Sequence, residues 1–337
     1  NGGSFSSGTL TNNGQIQLNG QFSTLGGDSL INNGIIAGDG RVNSVLDNQA
    51  GGEVRVSAGE SMRLSNSGNS NAGRIEVIGG EVEFDQDLTN QASTGSVVAS
   101  NAMLRFNGGL DNQGSMGLSF GTNYIFGDID NTGTIIQSGG GQVTFFDDMI
   151  NNGVIQTSSG SQAVFFGTVS GAGSYTGTGS LFFEGDLSPG NSPALVSMGG
   201  DMSLGLSSHT LMEIAGLDRG EEFDAFDIGG DLFLDGELEV SLYDLGTGLF
   251  DPQLGDSFDL FLAETISGEF DLLTLVALGG GLGWQLDTFS DAVGSTDVVR
   301  LSVVASAVPV PPAIWLFVSG MLGLVGMARR RASSASV

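Results

Sequence analysis

A repeat of about twenty residues runs through the first half of this 337-residue chain and limits the folds open to it. Each copy has an apolar residue, an asparagine, a glycine and then an aliphatic residue two places after that glycine. The first copy is Asn12-Asn13-Gly14-Gln15-Ile16, and the next is Asn32-Asn33-Gly34-Ile35-Ile36. The repeat glycines stand at positions 14, 34, 52, 73, 95, 114, 133, 153 and 173, so successive copies lie 18 to 22 residues apart. A period of this length is typical of a solenoid.

The later copies also carry a second apolar segment, which predicts two short strands per repeat. This segment contains Phe84, Phe106, Phe126, Phe146 or Phe166. Such strands cannot bury a face alone, but turns stacked on one another can. We therefore predict an all-β fold, a right-handed parallel β-helix with about 20 residues per coil, in which the aliphatic and phenylalanine positions form internal columns. A β-propeller or a sandwich of antiparallel hairpins is the competing fold.

The residues at the predicted bends and the positions of charged residues in successive repeats make this prediction more specific. Glycine and asparagine suit bends because both tolerate positive φ, and asparagine amides in register can hydrogen-bond from coil to coil. Glu53 and Arg55 follow Gly52 at the same two positions at which Arg74 and Glu76 follow Gly73. Stacking in register therefore brings Glu53 to Arg74 and Arg55 to Glu76. With a strand spacing of about 4.8 Å, the nine predicted coils form a rod of roughly 40 Å.

The repeat pattern of the sequence changes after Gly185, so we divide the chain into residues 1–185, 186–307 and 308–337. The first part holds the repeats. The second begins at a proline-containing junction, Ser188-Pro189-Gly190-Asn191-Ser192-Pro193, and contains longer alternating strands such as 237–243. It resembles the distal end of β-helical passenger regions in autotransporter-like surface proteins. We expect a β-rich cap or a continued solenoid, because an open solenoid end exposes unpaired backbone and core. No set of barrel strands follows, so we do not expect export by the autotransporter route.

The third part, residues 308–337, contains three segments in the order that is typical of a membrane sorting signal. A proline cluster, Val308-Pro309-Val310-Pro311-Pro312, precedes an uncharged apolar run that ends at Ala328, and three arginines follow. The run is long enough for one C-terminal transmembrane helix, and the arginines are expected to stay in the cytoplasm. This arrangement resembles the PEP-CTERM signals of Gram-negative bacteria that make exopolysaccharide, and is closest to the V-P-L-P-A variant. A plain C-terminal membrane anchor is the alternative.

The resemblance assigns roles to individual residues. It implies that an exosortase-type enzyme recognises the motif and cuts near it, after which the protein passes from the inner membrane to the cell surface or matrix. The residues concerned are, for recognition, Val308, Pro309, Pro311 and Pro312; for membrane residence, Trp315, Leu316, Phe317, Gly320, Leu322, Gly323, Leu324 and Gly326; and for orientation, Arg329, Arg330 and Arg331. Since the chain starts at Asn1 without a secretion signal, we expect a preceding N-terminal region.

Composition excludes several classes of function. The chain has 38 acidic residues against 10 basic ones, a net charge of −28, which disfavours any nucleic-acid partner. It contains no cysteine, which fits export without disulfides and excludes thiol catalysis and cysteine-ligated metal.

No catalytic or metal site is predicted with this composition. The acids Glu81, Glu83, Asp85 and Asp87 alternate along one strand, as expected for a solvated outer face. The single histidine, His209, lies in a polar run. No cofactor is expected, although one acidic cluster contains ligands that Ca²⁺ prefers: Asp224, Asp227, Asp231, Asp235, Glu237 and Glu239. A regular Thr-x-Thr column, which ice binding needs, is absent from the sequence.

We therefore expect an exported, non-enzymatic cell-surface or extracellular-matrix protein. Its expected partners are the processing enzyme, the inner membrane before processing, and an extracellular polysaccharide that it contacts in adhesion or matrix packing. The alternative is an enzyme, a β-helical polysaccharide lyase or glycoside hydrolase. A glycoside hydrolase needs two nearby carboxylates, and a lyase needs a base together with a neutralising cation.

Overall fold

The structure is a computed structural model that describes residues 3–190, 193–246, 248–290 and 296–306. The predicted sorting signal, residues 308–337, lies outside the described residues. Every regular element of the described chain is a β-strand, and all 35 strands join one continuous hydrogen-bonded system. No helix in the described part has the length and apolar character needed to cross a bilayer.

The chain begins with three long strands: β1 (Ser4–Asn12), β2 (Gln15–Asn32) and β3 (Ile35–Asn48). Strands β2 and β3 each make most of a turn. From β4 onward each turn contains three shorter strands, so the prediction of two strands per repeat is wrong: the asparagine segment forms a third strand. These strands form three faces of a parallel solenoid of about ten turns. We call these faces 1, 2 and 3.

The strands of the three faces are as follows. Face 1 contains β4 (Glu53–Val56), β7 (Arg74–Ile78), β10 (Ser96–Ser100), β13 (Ser115–Ser119), β16 (Thr134–Ser138), β19 (Val154–Thr157), β22 (Ser174–Thr176), β25 (Leu195–Met198), β28 (Ala225–Ile228) and β31 (Ser257–Ala263). Face 2 contains β5 (Ser61–Leu64), β8 (Glu81–Phe84), β11 (Met103–Phe106), β14 (Thr122–Phe126), β17 (Gln142–Phe145), β20 (Gln162–Phe165), β23 (Ser180–Phe183), β26 (Met202–Leu204), β29 (Asp231–Leu234) and β32 (Thr265–Gly268). Face 3 contains β6 (Asn69–Asn71), β9 (Leu88–Asn90), β12 (Leu110–Asn112), β15 (Ile129–Asn131), β18 (Met149–Asn151), β21 (Val169–Ser170), β24 (Asp186–Leu187), β27 (His209–Ile214), β30 (Glu237–Leu242) and β33 (Leu272–Leu275).

Each strand up to β30 pairs in parallel with a strand one turn later, which confirms the parallel solenoid and excludes the antiparallel alternatives for this part of the chain. The charged register is also confirmed, because Glu53 aligns with Arg74 and Arg55 with Glu76. Within this group Arg55 lies 3.5 Å from Glu76 across the turns. Arg55 also pairs with Glu53 at 2.7 Å and Arg74 with Glu76 at 2.5 Å along their own strands.

The parallel stacking runs across residue 185 and continues to β33. Val169 pairs with Leu187, and three further turns follow. The chain then closes with an antiparallel hairpin of β34 (Leu282–Ser290) and β35 (Asp297–Ala305). Strand β35 pairs in antiparallel fashion with β31 and covers the last strand of face 1. The Trp284 indole N–H donates to the Val276 carbonyl at 2.7 Å, which fixes the hairpin to the preceding segment.

The repeat glycines are needed because successive turns stack closely at these positions. From the sequence, glycine is expected there because it tolerates positive φ, and that reason is wrong for the repeat glycines. The repeat glycines are not among the residues with left-handed φ. Instead, a Cβ on Gly34 would lie 2.1 Å from the Gly14 carbonyl oxygen, and one on Gly133 would lie 2.1 Å from that of Gly114. Any side chain at this corner would therefore force two turns apart.

The asparagines of the repeat form the coil-to-coil amide ladder that the sequence predicts. The Nδ2 of each residue donates to the Oδ1 of the next at 2.6–2.8 Å, through Asn12, Asn32, Asn48, Asn71, Asn90, Asn112, Asn131 and Asn151. All eight are buried. Asn48 and Asn90 were not found in the sequence pattern, because extra turn residues separate them from their glycines. The triplet of aliphatic residue, any residue and asparagine, as in Leu88-Thr89-Asn90, is the signal that identifies them.

The internal columns are confirmed for the aliphatic positions and for Phe84 and Phe106, but the prediction is wrong for the three later phenylalanines. The inner column of face 2 continues through Ile125, Phe145, Phe165 and Phe183. The outward positions hold Phe126, Phe146 and Phe166, and Phe166 is 51% exposed. The reason is that β14 aligns Phe126 with the outward residue Arg105. A shift of one residue moves a strand side chain to the opposite face.

Candidate functional site

A groove of about 610 Å³ runs along face 3. Its floor consists of the outward side chains of five successive strands, which align in register: Thr89, Asp111, Asp130, Ile150 and Ser170. One wall is formed by the turns that precede these strands, including Asp128, Asp148 and Thr168. At a strand spacing of about 4.8 Å, five turns give a groove about 20 Å long that is parallel to the solenoid axis.

The floor residues face outward because buried and exposed side chains alternate along each short strand. In Leu110-Asp111-Asn112 the leucine and the asparagine are buried, so the aspartate between them faces outward. The same holds for Ile129-Asp130-Asn131. Asp111 and Asp130 are direct partners on neighbouring strands, and like charges in that relation repel.

Backbone N–H groups orient the wall carboxylates. Asp148 Oδ1 accepts from Thr168 N at 2.8 Å, and Asp128 Oδ1 accepts from Asp148 N at 3.3 Å. Among the described residues that line the groove, none is Arg, Lys or His. The groove therefore offers hydrogen-bond acceptors and negative charge, which favours ligands with many donors and disfavours anions.

An aromatic stack borders the groove on face 2. The guanidinium of Arg105 lies 4.2 Å from the ring centre of Phe126. Phe126 and Phe146 stack at 4.4 Å, and Phe146 and Phe166 stack at 5.7 Å, with nearly parallel rings. Phe166, at the end of this stack, is 51% exposed. The turn residues Gly108, Gly109 and Asp128 separate this stack from the groove.

The four acids singled out on β8 and after it belong to an ion-paired outer surface. Their inward neighbours Val82 and Phe84 are buried. Glu81 pairs with Arg105 at 2.8 Å, and Asp85 pairs with Arg63 at 2.8 Å. The remaining two are Glu83, which accepts from Asn107 at 3.0 Å, and Asp87, which accepts from Gly68 N at 3.1 Å and borders the groove.

The six acids considered as calcium ligands have separate partners. Asp224 is fully buried and accepts from the backbone N–H groups of Ala194 and Glu213 at 2.7 and 2.8 Å. The others contact Arg219 (Asp227, 2.8 Å), Thr265 (Asp231, 2.6 Å), Gly236 N (Asp235, 2.8 Å), Thr274 (Glu237, 2.6 Å) and His209 (Glu239, 2.8 Å). In the part of the chain that the structure describes, no three acidic or histidine side chains are grouped to hold a metal ion.

His209 lies between turns rather than in the groove. Its Nε2 is 2.8 Å from Glu239 Oε2 on the following turn, and its Nδ1 is 3.9 Å from Asp186 on the preceding one. The side chain is about one-third exposed. These contacts link three successive turns of face 3.

Sequence reasoning did not identify the groove aspartates Asp111, Asp128, Asp130 and Asp148. Their signal is an acidic residue directly before, or three residues before, a ladder asparagine, as in Asp128-Ile129-Asp130-Asn131. The sorting-signal residues Val308 to Arg331 lie outside the described residues.

No protein-family model matches the chain, and no curated protein sequence is significantly similar to it. The class of the protein is thus described by its structure alone: it is an all-β parallel solenoid with an acidic groove along one face.

Proposed function

We propose that this chain is an exported, non-enzymatic surface or matrix protein that binds a linear extracellular polysaccharide in the face 3 groove. The observation that carries the proposal is the shape of the groove, which follows the solenoid axis across five turns and is open along its length. A site of this form suits an extended polymer better than a small molecule, which is usually enclosed by its pocket.

The groove chemistry supports the same class of ligand. Sugar hydroxyls donate hydrogen bonds, and the carboxylates of Asp111, Asp128, Asp130 and Asp148 accept them. Hydrogen bonds to charged groups contribute about 1.5–3 kcal/mol each. Ile150, 48% exposed on the floor, supplies an apolar contact for the C–H face of a sugar ring.

Substitution of a floor residue tests this binding. Asp130→Ala should weaken retention of the wild-type ligand about tenfold or more in affinity electrophoresis through a panel of polysaccharides, including that of the producing cell. Asp28→Ala, an exposed aspartate on β2, is the matched control and should bind like the wild type. Equal retention of both variants would contradict a role for the groove.

Anchoring and processing form the second part of the proposal. We infer from the sequence resemblance that the C-terminal segment holds the chain in the inner membrane until an exosortase-type enzyme cuts near Val308–Ala313. The mass of the C-terminal peptide, taken from cells and from their secreted matrix, tests this. An end near Val308–Ala313 supports processing, whereas an intact Val337 in the membrane fraction contradicts it.

A glycoside hydrolase is the second candidate, and the stacked carboxylates of the groove favour it over a lyase. Two carboxylates that flank one glycosidic bond are the machinery of such enzymes. A lyase also needs a cation, and the described lining of the groove supplies no basic side chain. Release of oligosaccharides from a bound polysaccharide, lost in Asp130→Asn, would establish the hydrolase and overturn the non-enzymatic proposal.

A further inference from the structure

The connection between β30 and β31 exposes three leucines. This leucine loop, residues 243–256 with residue 247 outside the described chain, contains Leu245, Leu249 and Leu254, which are 49%, 65% and 65% exposed. Exposed apolar side chains that are grouped in one loop are characteristic of a contact surface.

Polar groups within the loop and one partly buried ring hold the described residues of this loop. Asp244 Oδ1 accepts from Gly246 N at 2.7 Å and from Gly248 N at 2.8 Å. Phe250 packs against the core, edge-on to Phe258 with ring centres 6.3 Å apart. The leucines on either side of this anchor are therefore exposed to solvent and do not fill the core.

The loop lies beside the last described strand of the chain. Gly255 N donates to the Val303 carbonyl at 3.0 Å, and Val303 N donates to the Asp256 carbonyl at 2.8 Å. Strand β35 ends two residues later, at Ala305. Pro312, where the proposed membrane segment begins, follows after seven residues, which span at most about 25 Å when fully extended.

We propose that the leucine loop contacts the surface of the lipid bilayer while the chain is anchored by residues 312–328. This inference rests on the membrane anchor of the proposed function. The short connection keeps the loop close to the bilayer, where burial of the three leucines removes apolar surface from water. The loop also contains Asp244, Asp251 and Asp256, so zwitterionic headgroups suit it better than anionic ones.

Single-cysteine labelling tests the contact, because the chain has no cysteine of its own. The full chain is reconstituted in phosphatidylcholine vesicles with an environment-sensitive fluorophore at Leu249→Cys or Leu254→Cys. Phe22→Cys is the control, since Phe22 is 77% exposed and lies on β2 at the far end of the solenoid. We expect lipid-borne quenchers to reduce fluorescence at the loop at least twofold more than at position 22. Partial replacement of phosphatidylcholine by phosphatidylglycerol should lower that ratio.

Two failures are distinguishable in this experiment. A chain that does not float with the vesicles overturns the anchor, and the loop contact with it. A chain that floats but shows equal quenching at the loop and at position 22 overturns the loop contact alone and leaves the anchor intact.

Discussion

At the scale of single residues, close approach between turns is the strictest constraint in this protein. The corner that joins face 3 to the next face 1 strand stacks glycine on glycine. Gly153 would place a Cβ 2.2 Å from the Gly133 carbonyl oxygen, closer than two non-bonded atoms can lie. The glycine is thus required by its neighbour one turn away, and not by its own backbone conformation.

Gly133→Ala should destabilise the solenoid by about 2–3 kcal/mol, because the added methyl group overlaps the Gly114 carbonyl and the turns must separate. Gly117→Ala is the matched control, since a Cβ there meets nothing within 4 Å and its φ is not left-handed. We expect Gly117→Ala to be neutral or slightly stabilising in urea unfolding. Equal losses for both variants would mean that glycine content, rather than stacking, determines the effect.

A second residue-scale feature is the buried tyrosine above the end of the amide ladder. Burial raises the pKa of Tyr175 above its ordinary value of 10.0, and the polar side chain of Asn151 opposes this only in part. The phenol must remain neutral in the folded state. Its contribution to stability is therefore fully present below pH 10 and is lost as the pH rises towards the raised folded-state value.

The wild type should accordingly lose stability above pH 10 by up to about 1.4 kcal/mol per pH unit more than Tyr175→Phe. Urea unfolding between pH 9 and pH 11.5 measures this difference. Tyr124→Phe is the control, because Tyr124 is 40% exposed and should follow the wild type. Parallel pH profiles for all three proteins would exclude Tyr175 as the source of the alkaline loss.

At the scale of the elements, the amide ladder joins the strands of face 3. Each asparagine from Asn32 to Asn131 both donates and accepts within the row, and Asn90 donates in addition to the Ser115 carbonyl at 3.1 Å. A buried amide that loses its partner costs about 1–3 kcal/mol. The ladder therefore couples each turn to the two beside it.

Asn112→Ala should cost about 3 kcal/mol, because it leaves the Nδ2 of Asn90 and the Oδ1 of Asn131 without this partner. Asn107→Ala, which removes an exposed hydrogen bond to Glu83, should cost less than about 0.5 kcal/mol. Hydrogen exchange should show faster opening of the neighbouring turns in Asn112→Ala alone. Loss spread evenly along the solenoid would argue against coupling through the ladder.

The two phenylalanine rows of face 2 differ in what they stabilise. Phe145 belongs to the buried row, and its truncation to alanine should cost about 3–5 kcal/mol through the cavity that it leaves. Phe146→Ala removes two stacked pairs from the outer surface and should cost about 1–3 kcal/mol. Phe166→Ala, at the end of the stack, should cost less than Phe146→Ala. Thermal unfolding of the three variants checks this order, and a reversed order of Phe145 and Phe146 would contradict the strand alignment.

At the scale of the whole molecule, net charge opposes the stacked fold. A charge of −28 repels itself more strongly in the compact chain than in the unfolded one. The ten arginines are too few to neutralise the 38 acids, and exposed ion pairs contribute only about 0–1 kcal/mol each.

Stability should therefore rise with ionic strength. We expect the melting temperature at pH 7 to increase between 0.01 and 0.2 M NaCl, as the Debye length falls from about 30 Å to less than 10 Å. Near pH 4.1, the isoelectric point of the sequence, the same change in salt should have little effect. A melting temperature that falls with salt at pH 7 would show that the arginine pairs outweigh the general repulsion.

The class of fold and the stacking register could both be predicted from the sequence, because every repeat carries the same apolar, asparagine and glycine positions. The period places Val54 over Ile75, and the charges of Glu53 and Arg74 fall at matching positions. The amide ladder could be predicted for the same reason, except at Asn48 and Asn90, where longer turns hide the period.

The outward side of each face 2 strand, and the side chains that meet across turns on the surface, became known from the three-dimensional structure. Phe146 and its neighbours in the stack lie outside the solenoid. Successive side chains of a strand point to opposite sides, so a shift of one residue in the alignment moves a side chain from the core to the surface. The groove aspartates come from turns about twenty residues apart, so their neighbourhood exists only once turn lengths and register are fixed. The repeat within the sequence predicts how one turn stacks on the next, whereas a surface site is formed by side chains from several turns whose positions depend on the length of every turn between them.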